Sequence, residues 1–211
     1  MILIGMFDSP FVRRVAISMT LLDVPFEHCN WSVGRDAARI REFNPLARVP
    51  TLVLDSGESL IESAMILDYL DQQAGEARAL LPSSGEARRR ALSLIALATG
   101  AADKGIQTVY ERIFRPPEKR YEPWTQRCRT QMHAALAELE VCCAAPRAND
   151  WLLSDTLSQA DITLACYLTY LREAVPFDLA AYPALLANVE PCEVLPVFKQ
   201  FYVPFDPPDP N

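Results

Sequence analysis

Hydrophobic patterning divides this 211-residue chain into two unlike parts, and that division limits the folds it can adopt. In residues 1–74, short apolar runs bounded by turn residues alternate with stretches of helical spacing in the order βαβαββα. Beyond residue 84 the strand patterns end, and apolar residues recur at helical spacing. This order predicts a mixed sheet with helices packed on it, followed by a separate all-helical part.

The first part has the element order of a thioredoxin-like domain. The turn at residues 55–57 (Asp-Ser-Gly) separates the last two predicted strands and indicates a hairpin. The predicted strands are residues 2–5, 25–31, 51–54 and 59–61, and the predicted helices are residues 10–22, 36–43 and 63–73. We predict an α/β plus all-α protein, with a thioredoxin-like domain at 1–75, a linker at 76–84 and an all-helical domain at 85–211. Residues 203–211 are rich in proline, so we expect an extended tail.

Composition and charge exclude several classes of partner. The net charge of −7 argues against binding of nucleic acid, because its phosphates bind to a basic protein surface. No apolar run reaches the roughly 18–20 residues of a membrane span, and the first five residues lack the basic segment of a secretory signal. We therefore expect a cytoplasmic protein that does not bind a membrane. The six cysteines form no Cys-x-x-Cys pair and only two histidines accompany them, so we expect no metal site.

Ser9 is the first residue that could carry chemistry, because it follows the first strand and precedes Pro10 at the start of a helix. One interpretation is an N-cap, since serine is favoured there and proline is favoured at the next position. The other is functional, because the carboxyl end of a strand and the N-terminus of a helix are places where α/β folds bind anionic groups. A thiol held there would ionise more readily, since the helix terminus and a donated hydrogen bond favour the thiolate.

Two further fragments in the first part are ambiguous by themselves. Residues 44–52 (Asn-Pro-Leu-Ala-Arg-Val-Pro-Thr-Leu) place Pro50 at the head of a strand, where a missing ladder donor is tolerated. Glu62 and Ser63 directly follow the fourth strand and open a helix, where a serine can act as a cap. Their order and spacing on a thioredoxin-like part carry more information than either fragment.

One motif in the helical part is a folding signal. Ser158 and Asp161 stand three residues apart, as in a capping box, with Leu157 and Ile162 where a hydrophobic staple would lie. We therefore interpret Asp161 as a capping residue and not as a catalytic acid.

Together these motifs resemble one family along nearly the whole chain. Ser-Pro-Phe-Val-Arg-Arg at 9–14, the run at 44–52, Glu-Ser at 62–63 and Ser-Gln-Ala-Asp at 158–161 are similar to the cytosolic glutathione transferase superfamily. Within that superfamily, these motifs resemble those of the serine-type bacterial members and of the plant tau class. The resemblance implies that glutathione is the co-substrate and that Ser9 donates a hydrogen bond to its sulfur.

The resemblance also assigns the rest of the glutathione site. Val49 would pair its backbone with the cysteinyl part of the tripeptide, just before a cis Pro50. Glu62 and Ser63 would hold the ammonium and the carboxylate of the γ-glutamyl end. Arg48 would face the glycyl carboxylate, and Arg35 is a second candidate for that end. Many relatives have Gly-Lys where this chain has Ala-Arg at 47–48, and arginine pairs with a carboxylate more rigidly than lysine.

The implied reaction is attack of the glutathione thiolate on a small, apolar electrophile held between the two parts. Phe11, Tyr110 and Phe114 would line that pocket, and the family implies a homodimer.

A glutathione-dependent isomerase, dehalogenase or peroxide reductase on the same fold is an open alternative, whereas a disulfide-exchanging relative would need a cysteine where Ser9 stands. A non-catalytic adaptor like the stringent starvation protein is the other alternative, although such proteins tend to lose the glutathione contacts.

Overall fold

The structure, a computed structural model, describes residues 1–147 and 149–207. These residues form two compact units. The first unit comprises Met1–Ser83 together with the segment that starts at Pro196, and the second comprises Ser84–Leu195. The boundary, between Ser83 and Ser84, lies one residue before the end of the predicted linker.

The elements alternate in the first unit and are helical in the second. In chain order they are β1 (Ile2–Ile4), α1 (Pro10–Leu21), β2 (Glu27–Cys29), α2 (Ala37–Arg41), β3 (Thr51–Val53), β4 (Ser59–Ile61), α3 (Ser63–Ala74), α4 (Gly85–Phe114), α5 (Glu122–Ala144), α6 (Gln159–Ala174), α7 (Pro183–Glu193) and α8 (Pro196–Gln200). The predicted thioredoxin-like order and the helical second part are confirmed. Three of the predicted strands are shorter in the structure, because each strand pairs with its neighbours over three residues only.

The four strands form one mixed sheet in the order β2-β1-β3-β4. β1 runs parallel to β2 and antiparallel to β3, and β3 runs antiparallel to β4. In this register Thr51, the first residue of β3, pairs with Ile4 at the end of β1 and with Ile61 at the end of β4. The chain segments that follow β1, precede β3 and follow β4 therefore meet at one edge of the sheet.

Helix α1 packs in the core of the first unit and also buries two charged side chains. Val12, Val15 and Met19 are fully buried, as their helical spacing predicts. Arg13 and Arg14 are 3% and 2% exposed, so their guanidinium groups need polar partners inside the same unit.

Helix α8 belongs to the first unit, whereas the sequence prediction placed all of residues 85–211 in the helical domain. The Arg13 side chain donates to the backbone oxygen of Phe198 at 2.9 Å, and its guanidinium lies 5.8 and 5.6 Å from the ring centroids of Phe198 and Tyr202. A buried cation on α1 thus holds α8 and the chain beyond it. The end of the predicted tail, residues 208–211, lies outside the described residues.

Helix α6 is the centre of the second unit, and nearly all of its residues are buried. On α4, Gly105 lies so close to α6 that an added Cβ would stand 2.3 Å from the Leu171 side chain and 3.3 Å from that of Val175. A larger residue at this position would have to displace the Leu171 side chain. Among the described residues, no helix is both long and apolar enough to cross a membrane, and no three side chains of metal-binding type form a cluster.

The start of α6 carries the capping box that the sequence indicates. The Asp161 carboxylate accepts the backbone N–H and the hydroxyl of Ser158 at 2.9 and 2.6 Å. Its other oxygen accepts the backbone N–H of Leu152 at 2.9 Å. Asp161 is buried, so this one carboxylate fixes both the helix start and the loop before it.

We expect Asp161→Ala to destabilise the protein more than Ser158→Ala. Loss of the serine cap should lower the free energy of unfolding by about 1 kcal/mol. Loss of the carboxylate leaves buried backbone donors without an acceptor and should cost about 2–4 kcal/mol. Urea unfolding measures both values, with Asp161→Asn as a control that keeps one acceptor oxygen. Equal losses for the two alanine variants would contradict this assignment.

Candidate functional site

The sheet register gathers the predicted site residues at one edge of the first unit. Ser9 lies in the connection after β1, Pro50 directly precedes β3, and Glu62 directly follows β4. Gly5 makes the close approach possible, because a Cβ there would lie 2.5 Å from Val12 and 2.8 Å from Val49, and its φ of 133° suits glycine.

Ser9 occupies the N-cap position of α1, and its carbonyl oxygen accepts the Arg13 N–H at 2.9 Å. Within the described part of the chain, however, its side chain makes no capping hydrogen bond. The capping interpretation expects that bond to the second or third helical N–H. The half-buried hydroxyl is therefore placed at the positive end of α1 without serving as its cap.

The loop before β3 is held by a buried asparagine. The side-chain amide of Asn44 donates to the backbone oxygen of Arg48 at 2.8 Å and to the Thr51 hydroxyl at 3.1 Å. Its carbonyl oxygen accepts the Leu46 N–H at 3.0 Å. The Val49–Pro50 peptide at the end of this loop is cis.

Arg48 and Glu62 lie together at the sheet edge. Arg48 Nη1 donates to Glu62 Oε1 at 3.0 Å, and both side chains are about half exposed, at 57% and 46%. Glu62 has a φ of 67°, in the left-handed region that a glutamate seldom adopts. Backbone strain of this kind occurs at functional sites, where surrounding structure holds it.

Ser63 begins α3 and faces a buried arginine that sequence reasoning did not single out. Arg14 Nη2 donates to the Ser63 hydroxyl oxygen at 2.7 Å, and both residues are buried. Because the oxygen accepts from a cation, the hydroxyl proton of Ser63 can point to another acceptor. The sequence does contain a signal for this contact: Arg14 lies between apolar positions of α1, and a charged residue that is buried there needs a specific partner.

Arg35, in the connection between β2 and α2, pairs with the C-terminal segment of the same unit. Its guanidinium donates to Asp206 Oδ2 at 3.0 Å, and both side chains are 48% exposed. The backbone N–H of Asp206 donates in turn to Asp8 Oδ2 at 3.2 Å. Burial raises the pKa of Asp8, and the charge of Asp206 raises it further, against the hydrogen bond from Asp206 and the charge of Arg35.

The three predicted pocket residues divide between the units. Phe11 is half-buried on α1 in the first unit. Tyr110 and Phe114 lie one turn apart on α4 in the second unit, with ring centroids 5.2 Å apart and exposed fractions of 39% and 43%. Their common role in a pocket stays a prediction.

Comparison with known proteins identifies the family. The family model for the glutathione S-transferase N-terminal domain matches residues 3–78, and the model for the C-terminal domain matches residues 122–187. The uncharacterized GST-like protein YibF of Escherichia coli K12 is 32% identical over 190 residues, which cover 89% of this chain and 91% of that protein. The chain belongs to the glutathione S-transferase family.

Solved structures of family members agree with this assignment. A glutathione S-transferase of Methylobacterium radiotolerans, in complex with glutathione sulfonate, has a TM-score of 0.88 and 29% identity over 97% of this chain and 95% of its own. A glutathione transferase family member of Pseudomonas fluorescens with bound glutathione has a TM-score of 0.81 and 32% identity, over 97% of this chain and 99% of its own. The expected membership of the superfamily is confirmed, while the roles of single residues stay predictions.

The raised pKa of Asp8 makes a testable contribution to stability. Its pKa lies above the ordinary value of 3.8, so the folded protein holds this proton more tightly than the unfolded chain does. Ionised Asp8 therefore destabilises the fold above its folded pKa, and the effect vanishes as the pH falls below the unfolded value. We expect Asp8→Asn to stabilise the protein at neutral pH and to lose that advantage toward about pH 4.

Urea unfolding across this pH range checks the expectation. Glu58→Gln, at an exposed carboxylate in the hairpin turn, serves as the control and should leave stability nearly unchanged. An Asp8→Asn difference that does not vary with pH would contradict the assignment.

Proposed function

We propose that this protein is a glutathione transferase, which activates the thiol of bound glutathione for attack on a small, apolar electrophile. The observation that carries the proposal is the Ser9 hydroxyl, which lies at the N-terminus of α1 and does not cap it. This hydroxyl would donate a hydrogen bond to the glutathione sulfur. The protein then needs no nucleophile of its own.

The energetics require both the hydroxyl and the helix. A free thiol has a pKa of about 8.5, and each unit of downward shift corresponds to about 1.4 kcal/mol in favour of the thiolate. A helix N-terminus contributes about 0.3–1 kcal/mol to a nearby anion, and up to about 2 kcal/mol where it is partly buried. A hydrogen bond to a charged group contributes about 1.5–3 kcal/mol. Together they suffice to make the thiolate the main form near neutral pH.

The charges at the sheet edge match those of the tripeptide. Glu62 would take the γ-glutamyl ammonium and Ser63 the neighbouring carboxylate. Arg48 would face the glycyl carboxylate, with Arg35 as a second cation at that end. Val49 would pair its backbone with the cysteinyl part before Pro50. The Arg48–Glu62 ion pair has to open for this. Each partner then meets the opposite charge on the same ligand, so the exchange leaves neither of them unpaired.

The co-substrate, the location and the assembly of the protein are also part of the proposal. The two solved relatives carry glutathione or glutathione sulfonate. We also propose a cytoplasmic location, a reducing compartment in which the six cysteines would remain thiols. We propose that Phe11, Tyr110 and Phe114 contribute to the electrophile pocket, and that the protein acts as a homodimer, as its family resemblance implies.

Two other functions make different predictions. A glutathione-dependent isomerase on this fold would return glutathione unchanged, whereas a transferase consumes it in step with the electrophile. A non-catalytic adaptor would have no need of glutathione. The opposite charges of Arg48 and Glu62 at the sheet edge suit a ligand that carries both charges, as glutathione does, and so favour a glutathione-binding protein over the adaptor.

Removing the Ser9 hydroxyl should separate binding from activation. We expect Ser9→Ala to retain glutathione binding and to raise the pKa of the bound thiol by about one unit or more, because a hydrogen bond to the anion is lost. Titration calorimetry measures binding, and ultraviolet absorbance of the thiolate across a pH series measures the pKa. Thr20→Val is the matched control, since its hydroxyl bonds to the Ala16 carbonyl near the other end of α1.

The outcomes discriminate between the functions. An unchanged thiol pKa in Ser9→Ala would reduce Ser9 to a structural residue. A wild-type protein that does not bind glutathione would reject the enzyme and support the adaptor.

Arg14 should act on binding through Ser63. We expect Arg14→Met to weaken glutathione binding about tenfold, because Ser63 loses the charged donor that orients its hydroxyl. An analogue that lacks the γ-glutamyl carboxylate should bind Arg14→Met and wild type alike. Arg13→Met is the control for loss of a buried guanidinium, since Arg13 is equally buried but bonds to Phe198, and it should not distinguish the ligands by their γ-glutamyl carboxylate. An equal loss for both ligands would mean that Arg14 acts only on folding.

A further inference from the structure

The chain beyond α8 returns to the start of α1, and we call residues 201–207 the C-terminal strap. Its first residue, Phe201, is buried, with its ring centroid 5.0 Å from that of Phe7 and 6.2 Å from that of Phe26. Arg13 binds the Phe198 carbonyl just before the strap and stacks against Tyr202 within it. The base of the strap is therefore fixed to the loop before Ser9 and to α1.

The far part of the strap makes two polar contacts beside the proposed glutathione site. Asp206 Oδ2 accepts from Arg35 Nη2 at 3.0 Å, and the Asp206 N–H donates to Asp8 Oδ2 at 3.2 Å. Asp8 is the residue immediately before Ser9. All of these residues belong to the first unit.

We propose that Asp206 is a specificity-determining residue: it occupies Arg35 as an internal carboxylate, so that the glycyl carboxylate of glutathione must displace it to bind there. The inference rests on the proposed function and deepens it. It makes the strap a gate that responds to the charge at the glycyl end of the ligand.

The two arginines at the site differ in what a ligand does to their partners. When Arg48 leaves Glu62, the γ-glutamyl ammonium replaces it. When Arg35 leaves Asp206, glutathione offers Asp206 no cation in return, and Asp8 stands beside it as a further carboxylate. Displacement at Arg35 is therefore a net cost to binding, whereas the exchange at Arg48 is balanced.

The size of the effect follows from the exposure of the pair. Both side chains of the Arg35–Asp206 pair are 48% exposed, so solvent screens their attraction. An exposed ion pair of this kind changes an equilibrium by about two- to fivefold. Asp206 should therefore tune affinity for glutathione and not abolish it. The strap is anchored at Phe201 and Tyr202, so its opening involves only the part beyond Tyr202.

The test uses the full chain, titration calorimetry and two ligands: glutathione and glutathione ethyl ester, in which the glycyl carboxylate is blocked. Asp206→Asn removes the charge but keeps the N–H that bonds to Asp8. Asp23→Asn is the matched control, because it breaks another exposed ion pair of the same unit, that with Arg78 at 2.7 Å. The same measurement in an Arg35→Met background isolates the pair.

We expect Asp206→Asn to bind glutathione about two- to fivefold more tightly than the wild type does. Its affinity for the ester should equal that of the wild type. Asp23→Asn should change neither affinity, and Asp206→Asn should have no effect in the Arg35→Met background. Glutathione, but not the ester, should also accelerate amide hydrogen exchange in the strap of the wild type.

Unchanged or weaker glutathione binding by Asp206→Asn, or an equal change for both ligands, would overturn the gate and leave the proposed function intact. Protection of the strap by glutathione would overturn it as well. Failure of every variant to bind glutathione would instead reject the proposed function, and with it the gate.

Discussion

The pairing of β3 with both β1 and β4 is the constraint on which the site depends. Because Thr51 pairs with Ile4 on one side and with Ile61 on the other, three distant parts of the chain reach the same sheet edge. A shift of one residue in this register would turn the side chains of β3 to the opposite face. Gly5 permits the closeness that the register imposes, since a side chain there would strike Val12 and Val49. The positions of Ser9, Pro50 and Glu62 are thus a result of strand pairing.

Helix α1 carries that arrangement into the rest of the first unit. Its two adjacent arginines are both buried but bond in different directions, Arg14 to Ser63 at the start of α3 and Arg13 to the Phe198 carbonyl of α8. A buried guanidinium must keep its hydrogen bonds, because losing one costs far more than an exposed pair contributes. The helix that presents Ser9 is therefore tied to both elements that flank the proposed glutathione site.

The sequence predicted those features that depend on local pattern. Hydrophobic periodicity and turn residues were enough for the element order, and the spacing of Ser158 and Asp161 was enough for the capping box. Contacts between residues far apart in sequence were not predictable in this way. Arg14 and Ser63 are 49 positions apart, and Arg35 and Asp206 are 171 apart, so no local pattern links them. The same limit explains why the sequence prediction placed α8 in the helical domain. Its short apolar segment looks like a continuation of the helical part, and only its contact with α1 assigns it to the first unit.

The close approach at Gly105 has a consequence for how such a protein can change over time. Helix α6 is buried along nearly its whole length and meets α4 at Gly105, where a larger side chain would have to displace that of Leu171, so substitutions along this contact disturb the packed interior. Tyr110 and Phe114 lie further along the same α4 but are substantially exposed, and a different side chain there need not disturb the interior. One helix thus combines a segment where substitutions disturb the packed interior with a segment where they need not.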